Sequence, residues 1–77
     1  MEIQLISFGK ISEFLHSQQL EIEGISDTDQ LKAYLESNFL QLADLKYKLA
    51  VNKILIQENT HLNSGDSVAV MPPFSGG

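Results

Sequence analysis

Few residues of this chain have types and spacings that suit chemistry. It contains no cysteine, so disulfides, thiolate metal sites and cysteine nucleophiles are excluded. His16 and His61 stand far apart with no acidic cluster at ligand spacing, which predicts surface histidines and no metal site. No Ser-His-Asp arrangement can be argued. SFGKISE (residues 7–13) has a single glycine and lacks the Gly-Lys-Ser/Thr pattern of a phosphate loop. What remains is the ending, VAVMPPFSGG (residues 68–77), in which a β-branched run meets two prolines and stops on two glycines. Pro72 and Pro73 donate no backbone N–H, so they should end strand pairing and stiffen the exit. Gly76 and Gly77 lack a Cβ, and a narrow, adaptable backbone is what a chain end needs to enter a confined site. Extended, the stretch Pro72, Pro73, Phe74, Ser75, Gly76, Gly77 reaches at most about 20 Å. The plain alternative is an ordinary frayed end.

The elements that must present this ending follow from hydrophobic period. Residues Glu2 to Phe8 alternate, placing Ile3 and Leu5 on one side and Gln4, Ile6 and Phe8 on the other. After Gly9, the spacing of Ile11, Phe14 and Leu15 predicts a short helix over residues 10–16, and QLEIEG (residues 19–24) a half-exposed strand. The clearest helix start is SDTDQ, where Asp27 can cap, Gln30 sits three residues on as in a capping box, and Asp29 suits the positive end of the dipole. Leu31, Tyr34, Leu35 and Phe39 then form its apolar stripe, which is core. LQLADLKY (residues 40–47) predicts irregular chain. Two apolar runs around Asn52-Lys53 predict a hairpin, and Ser64-Gly65-Asp66 a turn before a last strand from Ser67 to Val70 or Met71.

Strand parity adds a second candidate. If Val68 and Val70 face the main helix, Ala69 and Met71 face away, where Ile6, Phe8 and Leu55 can join them. An apolar patch there suits a partner, unless the register is off by one residue and buries it. The chain has 77 residues, 43% of them apolar and 19% charged, which predicts one α+β domain over residues 1–71 with a flexible tail over residues 72–77. So small a core leaves little room for a catalytic pocket, which argues against an enzyme acting alone. Ten acidic against five basic residues give a net charge of −5, the wrong sign for nucleic acid or anionic lipid, and favour a basic protein partner. With no apolar run of about 18 residues and no signal-peptide pattern, a cytoplasmic location is expected.

LISFGKISEFL, LAVNKILI and LNSGDSVAVMPPFSGG together resemble the ubiquitin-like β-grasp sulfur carriers, and within them the molybdopterin synthase small subunits (MoaD-like). Leu-x-x-Gly-Asp-x-Val followed by Pro-Pro-x-x-Gly-Gly is the specific part, whereas Gly-Gly alone is weak. Met71 stands where that family often has an aromatic residue. The resemblance implies a mixed sheet with one main helix on one face. It also implies that Gly77 is adenylated and then thiocarboxylated, with ATP used by a ubiquitin-activating-like adenylating enzyme, sulfur supplied by a persulfide donor and no cofactor held by the chain itself. The implied role is non-catalytic: sulfur donation to the large subunit, in a heterotetramer, for conversion of cyclic pyranopterin monophosphate to molybdopterin. A carboxylate is a poor electrophile until it carries a good leaving group, so an acyl phosphate is the direct route to sulfur. Two other readings share the ending: a carrier for thiamine or another thiolation pathway, and a ubiquitin-like modifier whose Gly77 is joined to lysines.

Threading and fraying make opposite predictions at Gly76. A branched side chain there narrows the allowed φ/ψ region just behind the reactive carbonyl. Gly76→Val is therefore expected to leave thermal stability unchanged and to slow single-turnover transfer from a pre-made thiocarboxylate at least about tenfold, or roughly 1.4 kcal/mol at the barrier. A wild-type rate would defeat threading.

Overall fold

Alternation produces five strands in a computed structural model of the chain, which describes residues 1–73. In chain order they are β1 (Glu2–Ser7), β2 (Gln18–Glu21), β3 (Lys48–Val51), β4 (Ile54–Leu55) and β5 (Ser67–Met71). They form one mixed sheet in the order β2-β1-β5-β3-β4, with β1 and β5 parallel and the other neighbours antiparallel. The main helix, α1 (Thr28–Asn38), covers one face, as expected. Ile3, Leu5, Leu31, Leu35, Val68 and Val70 are sealed from solvent between the two layers.

Several segments differ from their sequence patterns. Residues 10–16 make a 3-10 helix over Gly9–Glu13 that buries Ile11, and the chain beyond it buries Leu15. The Phe14 and Leu15 amides both donate to the Ile11 carbonyl, which closes the helix just after Glu13 and leaves Leu15 buried beyond it. Strand β2 starts one residue earlier than expected and stops at Glu21, although Ile22 is still buried. The stretch expected to be irregular contains a second short helix, α2 (Leu40–Ala43), because Leu42 turns inward to complete the core.

The start of α1 is fixed by side chains. Asp27 Oδ1 accepts from the Gln30 amide at 2.9 Å, the expected cap. Gln30 reaches back to the amide of Ser26, not of Asp27, at 2.6 Å, one residue further than a standard capping box. Thr28 is buried, and its Oγ1 accepts from the Thr60 amide at 2.9 Å. Further along α1, the Tyr47 hydroxyl donates to Glu36 while Lys32 lies over the Tyr47 ring, 5.6 Å from its centroid. Burial, reinforced by the Glu36 carboxylate, raises the Tyr47 hydroxyl above its ordinary range.

The hairpin joining β3 and β4 has two central residues, Asn52 and Lys53, with φ of 51° and 72°. Positive φ at both suits the twist of the flanking strands, and asparagine tolerates it. Asn52 also ties this turn to the start of β5. Its Oδ1 accepts from the Ser67 amide at 3.0 Å, and its Nδ2 donates to Asp66 Oδ1 at 3.0 Å. Asp66 Oδ2 in turn accepts from the Asn63 amide at 2.9 Å, across the turn at Gly65. The Asn63 amide, followed by the Asn52 side chain and a smaller attraction from His61, holds the Asp66 carboxyl below its ordinary range.

A depressed carboxyl pKa makes the folded state bind fewer protons than the unfolded one, so its stabilising share is present above the unfolded value and lost as pH falls through the folded value. Asp66→Asn is expected to lower the melting temperature near neutral pH. The gap from wild type should shrink in thermal melts taken from about pH 6 to about pH 2. A gap that stays constant with pH would show that the carboxylate charge is not what ties the turn.

Candidate functional site

The sheet has a second face, opposite α1, and the register determines what stands on it. Ile6 pairs with Ala69 across β1 and β5, Ala50 with Ala69 across β3 and β5, and Ala50 with Leu55 across β3 and β4. Partners in register point to the same side, so these four residues form a row across the sheet. Val68 and Val70 are turned to α1 and fully buried, so the one-residue slip that would have buried the row does not occur.

Phe8, Met71, Pro72 and Pro73 extend the row into a concavity of about 500 Å³. Phe8 and Leu55 are 49% and 45% exposed, high for large apolar side chains. All five residues expected on the outer side, Ile6, Phe8, Leu55, Ala69 and Met71, therefore line one surface, with both prolines at its end. The remaining candidates, Phe74, Ser75, Gly76 and Gly77, lie outside the described residues.

Sequence reasoning missed part of this surface. Ala50 sits at its centre, and Lys48 and Lys53 line it, while none of the ten acidic residues does. Lys48 follows from the same parity as Ala50, two residues along β3, but only the two-residue turn brings Lys53 to this side. Net charge is negative, yet two lysines line this concavity, while Glu2 and Glu21, paired across β1 and β2 and with the parity of Gln4 and Ile6, stand on the same outer face further along the sheet. Surface charge acts where it meets the partner, and screening removes most of the rest beyond about 8 Å at physiological salt.

A polar cleft of about 440 Å³ runs between α1 and the chain after β4, past Lys32, Tyr47 and Asn59. Asn59 Oδ1 already accepts from the Asp29 amide at 2.9 Å, and Tyr47 is already paired with Glu36. Among the described residues no group of three or more His, Asp or Glu side chains could hold a metal ion, and no helix is long and apolar enough to cross a membrane.

With the main helix on one face and the apolar row on the other, the arrangement is the ubiquitin-like β-grasp. A family model described as the ThiS family matches residues 5–77. The chain belongs to the ThiS family, whose members are small, non-catalytic sulfur carriers of this fold. It is similar to a chain in the complex of subunits 1 and 2 of molybdopterin-converting factor from Helicobacter pylori, with 28% identity, 100% of each chain covered and a TM-score of 0.75. SAMP1 from Haloferax volcanii is 16% identical, with 100% of each chain covered and a TM-score of 0.79. The HVO 2177 protein of the same organism is 23% identical, with 100% of this chain and 87% of that chain covered and a TM-score of 0.81. The two Haloferax likenesses bear on the fold alone.

Phe8→Glu separates an exposed contact residue from a core residue. Truncating an inward-facing aromatic typically costs about 3–5 kcal/mol. Since Phe8 stands on the outer face, the variant is expected to melt within a few degrees of wild type and to lose binding to an adenylating or sulfur-accepting enzyme. An isolated variant that unfolds would overturn the assignment of Phe8 to this surface.

Proposed function

We propose that this chain takes up sulfur at the Gly77 carboxyl and surrenders it to a larger enzyme docked on the outer face of its sheet. The supporting observation is continuity: Met71, Pro72 and Pro73, which lead into the glycine ending, line the same concavity as Ile6, Phe8 and Leu55. An enzyme seated on this face holds the root of the ending against its own surface. Docking and delivery then share one geometry.

The chemistry balances with reagents of ordinary classes. Within an adenylating enzyme the Gly77 carboxylate attacks the α-phosphorus of ATP and pyrophosphate leaves, giving an acyl-adenylate. The terminal sulfur of a persulfide donor attacks the acyl carbon and AMP leaves. A second thiol reduces the acyl disulfide so formed, supplying two electrons and leaving a thiocarboxylate on Gly77. This sulfur then adds to an unsaturated carbon of the acceptor's substrate, whose π electrons pass to the attached heteroatom as it takes up a proton, and water cleaves the acyl–sulfur bond to regenerate the carboxylate. ATP belongs to the partner, so the chain needs no cofactor of its own.

The ThiS description of the matching family supports an acceptor in thiamine synthesis or another thiolation pathway. A specific observation favours a second reading, the small subunit of molybdopterin synthase delivering sulfur to a large subunit in a heterotetramer. The Helicobacter pylori chain, 28% identical over its full length, comes from a complex of subunits 1 and 2 of molybdopterin-converting factor. The Pro-Pro pair before Phe74 supports it as well. Single-turnover transfer from the thiocarboxylate form to a thiamine-pathway acceptor enzyme and to a molybdopterin synthase large subunit decides between the two.

Protein isolated from its own cells is expected to contain a species in which one sulfur replaces one oxygen at Gly77, seen by intact mass. Lysine-linked conjugates without that species would make the chain a protein modifier. Deleting Gly77, or adding one residue after it, should abolish adenylation and leave the fold intact. Normal activation of the extended chain, with the added residue retained, would remove the central claim.

A further inference from the structure

The last strand cannot set the direction of the chain beyond it through hydrogen bonds alone. Strand β5 stays in register with β1 as far as Val70, which pairs with Ser7, and the Phe8 amide donates to the Val70 carbonyl at 3.1 Å. Pro72 then has no N–H to offer. Its ring packs against Gly9 instead. A Cβ built on Gly9 would lie 2.9 Å from Pro72 Cγ and 3.6 Å from Cδ, the first being closer than real Cβ atoms approach. Gly9 also has a φ of +60°, and its carbonyl accepts from Ser12 Oγ at 2.6 Å, which fixes the turn that brings the bare Cα to the ring. Gly24 and Gly65 also have positive φ, but a Cβ on either would meet nothing within 4 Å. Close approach is peculiar to Gly9 among these three.

We propose that Gly9 is a positioning residue, a seat for Pro72 that sets the direction in which the chain leaves the sheet. The proposal rests on the sulfur-carrier reading for its purpose, though not for its geometry. Phe8, the neighbour of Gly9, lines the same concavity as Pro72 and Pro73, so one dipeptide supplies a contact for a docked enzyme and the stop that aims the ending toward it. Enlarging the seat displaces Pro72 and misdirects every residue after it. Delivery fails while docking persists.

Two variants disturb the seat from opposite sides. Gly9→Asn adds a Cβ in a residue that tolerates positive φ, and Pro72→Ala removes Cγ and Cδ without touching Gly9. The chain has no cysteine, so Ser75→Cys gives a single nitroxide site. In the otherwise wild-type full chain and in both seat variants, paramagnetic broadening of the outer-face amides reports where the ending travels. The expected result is a redistributed broadening profile in both variants, with the amides of α1 unshifted. An unchanged profile in either folded variant overturns the proposal, whatever the sulfur chemistry proves to be. In single-turnover transfer from a pre-made Gly77 thiocarboxylate without the label, each variant is expected to be about tenfold slower, and Gly9→Asn, which lies outside the concavity that Pro72 lines, is expected to keep partner affinity within about twofold of wild type. A wild-type rate in either variant, or affinity lost by Gly9→Asn in the same proportion as its rate, also overturns it. A wild-type chain that never acquires sulfur defeats the carrier reading instead, and the broadening profile still decides the seat.

Discussion

The pairing of β5 between β1 and β3 is the constraint on which the rest of the structure depends. It joins the end of the described chain to its beginning and places that strand at the centre of the sheet. Because side chains alternate along a strand, one register does two things at once. Val68 and Val70 go to the core beneath α1, and Ala69 and Met71 go to the outer face. A slip of one residue would exchange them, losing two buried valines and the apolar row together. Stability therefore protects the apolar outer face, whose central residue, Ala50, is itself buried.

Such coupling is economical in a chain of 77 residues, where one helix can cover only one face of a five-stranded sheet. The other face stays wet. An exposed apolar row on a sheet ending in a two-residue strand invites association with other chains, and charged side chains are a common way to discourage it. Lys48 and Lys53 border the row on the β3–β4 side, where β4 is the sheet edge. At the opposite side of the same face Glu2 and Glu21 pair across β1 and β2, so charges of both signs flank the apolar row.

Period-2 alternation made β1, the hairpin and β5 legible in the sequence, and with them the five outer residues Ile6, Phe8, Leu55, Ala69 and Met71. The cap at Asp27 was legible because its chemistry is local. What escaped was set by tertiary space. Leu42 draws a helical turn out of a segment with no clear period of its own, and the expected helix after Gly9 becomes a 3-10 helix that buries Ile11, with Leu15 buried just beyond it. The lysine border escaped because total charge was read without placement: five lysines in an acidic chain look outnumbered until the hairpin collects two of them on one face. The seat at Gly9 escaped because a lone glycine after a strand reads as an interruption, and only the folded chain brings the Pro72 ring beside it.

The hairpin and β5 are also fastened by polar groups, and these explain why Asn52 and Asp66 occupy their positions. Asn52 takes a positive φ that few residues accept and uses both ends of its amide, Oδ1 on the Ser67 backbone and Nδ2 on Asp66. Asp66 spends its second oxygen on the Asn63 amide, while its carbonyl accepts from Gln4 at 2.9 Å at the start of β1. The turn that carries Lys53, the entrance to β5 and the first residues of β1 are thereby fixed to one another at the end of the sheet remote from Pro72. Val68 to Met71 separate this anchor from the seat at Gly9, and a strand held at both ends has little freedom to twist or shift between them. The outer face between the two fixed points is then presented as one rigid surface, and a partner that binds it need not first order it.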